Sequence, residues 1–482
     1  MKIRKIYGAA ALTVGLAALA SCGGTDVQTS ADPYADYVVP SLESVEPSGE
    51  TKTITFLTTA GDDLIKVLES AKAKFEEENP NFVVDIQSGY SYDSLRNKIQ
   101  SDIIAKNQPS IAYCYGDHVA GYKTANVVLD LEPYIRDSVV GINKEEYLYM
   151  DEGYKFGNSK QCFTLPMSKS TDALYYNKTV VDPVLEELGI DLTKTSSWTW
   201  ENMWKLCRKL KEKYPKSTPL GYDSEANWFI SYLEEKGTID GKKYYTDANG
   251  VGEEKILFNN DVSKAFLTDV SARYDEGLVT TKGAYGSYTS GLFGKYVSTT
   301  PAADYDGSFM SIGSTGGASH QLPTTAGAFE VGLAKLPSID GTENGVKHIS
   351  QGPSLVLFDQ GDKELAMGTW LFAKTLISKE VQAAYAAKSG GYSPVRLDAI
   401  QAVEDSLDLT KPAGKLNKAC LDILTSIKSN LFVSDLFDGS AVSRVQIGSA
   451  MISLLKNESA ATIENKIASV LNDAYDESVS AL

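Results

Sequence analysis

From residue 53 onward the apolar positions alternate between two periods. Residues 53–58 (Thr-Ile-Thr-Phe-Leu-Thr) read as a strand, and Leu64, Leu68, Ala71 and Phe75 then recur at helical spacing behind the turn Gly61-Asp62-Asp63. Asn79-Pro80 stops that helix. Residues 82–87 form a second apolar run, Ser91 is placed to cap a second helix carrying Leu95, Ile99 and Ile103, and residues 110–115 form a third strand with Asp117 poised to cap the next helix. Strand–helix alternation of this kind predicts a parallel sheet covered on both faces. Ligands of such sheets sit beyond the carboxyl ends of the strands, against helix starts. Three loops are predicted there: 59–63, 88–92 and 115–118.

The pattern changes near residue 163. A strand is predicted over 173–176, a helix capped by Thr199 runs to about residue 214, and residues 243–258 read as a hairpin around Asp247-Ala-Asn-Gly250. A helix over 262–276 closes at Gly277, and strands are predicted at 329–337 and 351–358. Two helices follow, over 363–377 and from Ser378 to Gly390-Gly391, leading into a largely helical C-terminus. Trp204 and Trp370 fall on amphipathic helices and are assigned to packing. The glycine-rich stretch ending in Gly294-Lys295 has Thr289 where a phosphate loop needs Gly and Tyr296 where it needs Ser or Thr, so it is no nucleotide site.

The N-terminus has a different character. Lys2, Arg4 and Lys5 precede an apolar run, Tyr7 to Ala20, that is too short to span a bilayer. This is a secretory signal with a small-residue cleavage site. Its ending, Leu19-Ala20-Ser21-Cys22, resembles a bacterial lipobox, which implies cleavage before Cys22 and lipidation there; the alternative is an ordinary signal with a chance Cys. Residues 23–50, rich in Ser, Thr, Pro, Asp and Gly, read as a tether. The net charge of −17 becomes about −20 once the signal is removed, a surface that repels nucleic acid. Cys114, Cys162, Cys207 and Cys420 form no CxxC pair and lie in apolar settings, so they read as buried thiols; no zinc spacing is present, and no metal or cofactor is expected.

Leu165-Pro166, Leu174-Tyr-Tyr-Asn-Lys178, Ser197-Trp-Thr-Trp-Glu201, Leu292-Phe-Gly-Lys295, Val331-Gly-Leu-Ala-Lys-Leu-Pro337, the helix pair over 363–388 and Tyr392-Ser-Pro-Val395 occur in that order. Together they resemble the family 1 extracellular solute-binding proteins of ABC importers, the group that includes maltodextrin-binding proteins. Tyr296-Val-Ser-Thr-Thr300 departs from the small residues and Met usual after Phe-x-x-Gly-Lys. The resemblance implies an α/β, two-lobed periplasmic-binding-protein-like fold (type II), with the ligand cleft between lobes joined by crossing hinge segments. It places residues 1–21 in the signal and 22–50 in the lipidated tether. Residues 51–166 with 336–392 would form one lobe, and 167–335 with 393–482 the other.

It further implies a monomer that is tied to the membrane only through its lipid, binds a sugar or oligosaccharide, and docks on the transmembrane subunits of an ABC permease. A sugar offers apolar C–H faces and a rim of hydroxyls, so its site needs aromatic platforms with paired hydrogen-bonding groups. The loop aromatics Tyr90, Tyr115, Trp228, Tyr285 and Tyr392 are the candidate platforms, with Thr59, Asp62, Asp117, Asp172, Ser314 and Gln351 as polar partners. Trp228 stands out because Glu225-Ala-Asn227 gives it a polar, loop-like setting; the alternative is a core Trp. The alternative for Asp62 and Asp117 is a role as helix caps, which can coexist with ligand contact; for Tyr90 it is a turn residue, and for Asp172 a support of the crossing segment. Two rivals are a glycoside hydrolase with a carboxylate pair and a glycan-capturing lipoprotein without a transporter. No G-x-S-x-G or H-E-x-x-H motif supports an enzyme.

Overall fold

The computed structural model describes residues 38–156, 160–457 and 459–482. The predicted signal, Cys22 and the first part of the tether lie outside the described residues. In chain order the strands are β1 (Lys52–Leu57), β2 (Phe82–Gln87), β3 (Ile111–Cys114), β4 (Leu165–Pro166), β5 (Asp172–Asn177), β6 (Leu220–Tyr222), β7 (Val279–Thr281), β8 (Met310–Ser314), β9 (Val331–Ala334), β10 (His348–Ile349), β11 (Ser354–Leu357) and β12 (Leu431–Phe432). They build two five-stranded sheets, ordered β2-β1-β3-β11-β4 and β7-β6-β8-β5-β9, and a small pair β10-β12.

The strand–helix alternation puts β1 parallel to β2 and to β3, as the periodicity predicts. The sheet as a whole is mixed. β11 returns from far along the chain and runs antiparallel to both β3 and β4. In the second sheet β6 is parallel to β7 and β8, whereas β5 is antiparallel to β8 and β9. The predicted hairpin over 243–258 reduces to one bridge, Thr246 with Ile256, because residues Gly252–Lys255 coil into a 3-10 turn.

Each sheet has its own core. The first gathers Phe56, Phe75, Phe82, Tyr113, Trp370 and Phe372, with Phe56 edge-on to Tyr113 at 5.3 Å and to Phe372 at 5.8 Å. The helix Lys363–Leu376, capped by Asp362, turns Trp370, Phe372 and Leu376 inward. Full burial of an aliphatic or Phe side chain contributes about 1.5–3 kcal/mol. The second core holds Trp204, Tyr222, Trp228, Phe229, Phe258 and Phe266, together with Ile447, Met451 and Leu471 from the C-terminal helices. Leu336 and Val346 are buried in this second core, so the chain returns to the first sheet nearer residues 350–353 than at the expected residue 336. Their apolar side chains would be stranded on the other side. The four cysteines are free and buried, and burial pushes each thiol up.

Three passes of chain join the cores side by side. Ser170 bridges to Gln351 and Lys169 to Ser393, both antiparallel. Gly352 makes the close approach possible: its φ is +94°, and a Cβ there would lie 2.3 Å from the Ser168 carbonyl oxygen. Buried Lys169 pairs with Glu152, which also accepts from Ser350 Oγ at 2.6 Å.

Candidate ligand cleft

A cleft of about 580 Å³ opens between the two cores. The loops after β2 and β3 supply one wall. Ser91 caps the helix Tyr92–Ile104 through a capping box, with its Oγ accepting from Ser94 N at 3.1 Å, and this fixes Tyr92 at the helix start. Tyr92 stacks on Tyr115 with centroids 4.2 Å apart, and Tyr115 meets His118 edge-on at 5.7 Å. Burial pushes the Tyr92 phenol far up, with Thr59 as its hydrogen-bond partner and Tyr115 and Tyr392 nearby. Tyr92, Arg96, Tyr115, Asp117 and His118 all line the cleft.

The opposite wall begins just after β6. Asp223 Oδ1 accepts from Thr289 N at 2.7 Å and from Thr289 Oγ1 at 2.8 Å, and burial raises its carboxyl. Ser224 caps the helix Glu225–Asp240 by accepting from Asn227 N at 3.2 Å, and Glu225 accepts from Gly283 N at 2.6 Å. The helix Ser440–Lys456 completes the wall with Arg444, Val445, Gly448 and Ile452. A Cβ on Gly448 would meet Ala226 at 3.4 Å, so the two helices pack closely there.

Beside this wall lies a buried polar chain. Asp172, at the start of β5, accepts from Asn227 Nδ2 at 2.9 Å and from Gln351 Nε2 at 3.0 Å. Asn227 Oδ1 in turn accepts from the Arg444 guanidinium. Burial lifts the Asp172 carboxyl to about 6, while Asn227, Gln351 and the Arg444 charge hold it from rising further. Ser314 lies opposite Asp172 across β5 and β8, and its Oγ is 3.1 Å from Ser170 Oγ.

The structure therefore divides the sequence candidates. Tyr115 and Asp117 line the cleft. Thr59 and Tyr392 stand beside the Tyr92–Tyr115 stack, the Tyr392 ring lying close to Gly316, where a Cβ would be 2.6 Å from it. Asp172, Gln351 and Ser314 sit at the crossing segments. Asp62 is exposed in the first turn of its helix, with Gly61 as the N-cap, and Asp117 likewise lies in the first turn of a helix whose N-cap is Tyr115. Tyr90 packs against the first core, and Tyr285 is 43% exposed, outside the lining. Trp228 is a correction. It is only 3% exposed, stacked between Tyr222 at 4.8 Å and Trp200 at 5.4 Å, with Phe266 edge-on. Glu225-Ala-Asn227 is the first turn of a helix; its polar residues face the cleft and the crossing segments, while Trp228 faces the core.

Sequence reasoning missed Tyr92, Arg96, His118, Asp223, Glu225, Lys282 and Arg444. For Tyr92 and Arg96 a signal existed, since an i, i+4 pair directly behind the Ser91 cap shares one helix face. Among the described residues no group of three or more His, Cys, Asp or Glu is arranged to hold a metal. No described helix is long and apolar enough to cross a membrane.

Two sheets, each with its own core, three joining passes and a polar cleft between define a two-lobed solute-binding protein. The chain belongs to the bacterial extracellular solute-binding protein family, whose profile matches residues 70–411. The sn-glycerol-3-phosphate-binding periplasmic protein UgpB of Yersinia pestis is 24% identical over 348 residues, covering 71% of this chain and 74% of its own. The GacH receptor of Streptomyces glaucescens, solved unliganded and with acarbose, superposes with a TM-score of 0.64 at 16% identity, over 89% of this chain and 99% of its own. Lmo0181 of Listeria monocytogenes, solved with cycloalternan, gives 0.66 at 15% identity over 89% and 99%. These relatives are binding proteins.

Proposed function

We propose that this chain captures a sugar or oligosaccharide in the cleft and hands it to the transmembrane subunits of an ABC permease. The observation that carries this reading is the Tyr92–Tyr115 stack, set in a cleft lined by carboxylates on both walls, Asp117 on one and Asp223 and Glu225 on the other. Aromatic faces cover sugar C–H surfaces, and carboxylates accept pairs of hydroxyls. The acarbose and cycloalternan seen with relatives support a carbohydrate. Contacts made by both walls at once favour the closed arrangement, and that difference in affinity drives closure about the three passes. The protein acts as a monomer, without metal or cofactor, and performs no covalent step.

A thermal-shift screen over sugars, polyols, amino acids and short peptides tests this. Binding to the native state alone adds RT ln(1 + [L]/Kd), about 2.7 kcal/mol at a hundredfold excess over Kd. A sugar should raise the melting point and, in small-angle scattering, shrink the radius of gyration. A screen in which only peptides or amino acids stabilise the protein would end the sugar reading.

The site of action we place outside the cytoplasmic membrane, with Cys22 lipidated and the tether leaving the lobes free to meet the permease. Cys22→Ser should abolish acyl labelling and release the protein or leave it unprocessed. Full membrane retention with unchanged label would contradict the anchor.

A further inference from the structure

Six arginines lie in the described residues, and the cleft sorts them cleanly. Arg136 pairs with Glu132, Arg208 with Glu276, Arg273 with Asp269 and Glu276, and Arg396 with Glu146 and Asp398. Arg96 and Arg444 have no carboxylate within ion-pair distance among the described residues, and both line the cleft. They come from opposite walls. Arg96 stands on the helix that buries Leu95 and Ile99 in the first core, and Arg444 on the helix that buries Ile447 and Met451 in the second. Both guanidinium charges act on the same imidazole, His118, as do the carboxylates of Asp117, 3.9 Å from its Nε2, and Asp93.

The carboxylates of the cleft are mostly anchored within their own walls, and each keeps acceptor sites for ligand hydroxyls. Asp223 is held by Thr289, Glu225 by Gly283 N, and Asp117 accepts from His118 N at 3.0 Å. Of the lining acids, Asp93 alone, in the exposed first turn of its helix, has no such bond among the described residues. Both guanidiniums are half-buried. Arg444 gives one bond to the Asn227 amide oxygen, and Arg96 makes no hydrogen bond to another described side chain. A guanidinium stays charged at every relevant pH, and its planar fork matches carboxylate and phosphate oxygens in pairs. Two such forks face one gap without a direct ion pair to the carboxylates that share it, Asp93, Asp117, Asp223 and Glu225, which leaves both forks free to take the oxygens of an anion.

We infer that the ligand is a sugar or polyol carrying an anionic group, phosphate or carboxylate, and that Arg96 and Arg444 close on that group from the two walls. This rests on the sugar reading and narrows it. The arginines then do two things: they select charged over neutral sugars, and they make the closed state depend on an anion bridging the walls. Arg444 also holds Asn227, and through it Asp172 and Gln351 at the crossing segments, so the same contact bears on the hinge.

The test is calorimetric titration of the mature chain with matched pairs, glucose 6-phosphate against glucose, glucuronate against glucose, and glycerol 3-phosphate against glycerol, with inorganic phosphate as a further probe. At least one anionic member should bind about tenfold or more tightly than its neutral parent, with affinity falling as salt rises. Arg96→Gln, which breaks no hydrogen bond to a described side chain, should remove about tenfold or more of the anion's affinity and erase the preference, with an unchanged melting point. Arg444→Gln should weaken the anion to a similar extent, and Arg444→Lys should recover part of that affinity. Neutral parents binding as well as their charged partners would overturn the clamp and leave the sugar reading intact. Inorganic phosphate binding as tightly as the sugar phosphates would support the clamp and remove the sugar. Failure of every anionic probe to bind overturns the inference.

Discussion

Replacing Trp228 with alanine will cost the ligand-free protein about 3–5 kcal/mol of stability. The residue lies one turn inside the helix capped by Ser224, and its ring fills the space between Tyr222 and Trp200 with Phe266 against its edge. Removing it deletes the middle ring of a stacked set and leaves a cavity lined by other aromatic side chains. These are held by β6 and by the helices Trp200–Lys213 and Asp261–Asp275, and cannot collapse together without moving those elements. The loss should appear in urea or thermal unfolding without any ligand, and the ligand-induced shift of the surviving folded protein should persist. A variant with the parent's apo midpoint and no response to sugar would return Trp228 to the cleft as a platform. Tyr115→Ala provides the contrast, since its ring lies on the cleft wall: it should weaken ligand binding far more than it lowers the apo midpoint.

The division between what the sequence displays and what it hides follows the range of the interactions. β1, β2 and β3 and the helices between them are written in local periodicity, and residues 53–58, 82–87 and 110–115 meet the observed strands within a residue or so. Two of the three loops at their carboxyl ends, those after β2 and β3, lead into one wall of the cleft, because a parallel sheet gathers those ends on one side; residues 59–63 are outside its lining. The antiparallel entry of β11 is set by pairing with a strand some 240 residues earlier, which no local pattern encodes. Arg444 is 217 residues from Asn227 and sits in a helix with no motif. Trp228 was misread for a local reason. A helix start beside a binding cleft puts polar residues where periodicity expects apolar ones, so it imitates a loop. Asp172 was legible as a residue of the crossing segment; its partners were not, since Asn227 and Gln351 reach it from 55 and 179 residues away.

Asp172 also gives the protein a pH dependence whose sign is fixed. Burial raises its carboxyl from the ordinary 3.8 to about 6. A carboxyl that holds its proton more tightly in the folded state contributes stability that is fully present below about pH 4 and is lost as pH rises through about 6. Across the two plateaus the change is about 3 kcal/mol, at 1.36 kcal/mol for each pH unit between the two values. Asp172→Asn keeps the shape of the side chain and removes its titration. The variant should therefore gain about 3 kcal/mol relative to the parent between about pH 4 and pH 7, whatever the offset at the acid end. Urea unfolding of both proteins across that range measures it, and a difference that stays flat with pH would mean the carboxyl keeps its ordinary value. The cause lies in the donors. Asn227 and Gln351 each present one amide N–H to the carboxylate, and the Arg444 charge stands one residue further off, so the anion is partly compensated but not paired. Protonation puts an O–H where an amide hydrogen already points, and one amide must turn to accept it. If Asn227 turns, Arg444 loses its acceptor. The cost of charging Asp172 is thus tied to the orientation of a cleft residue, and the parent's pH step should grow in Arg444→Gln, because loss of the guanidinium charge lets the carboxyl rise further.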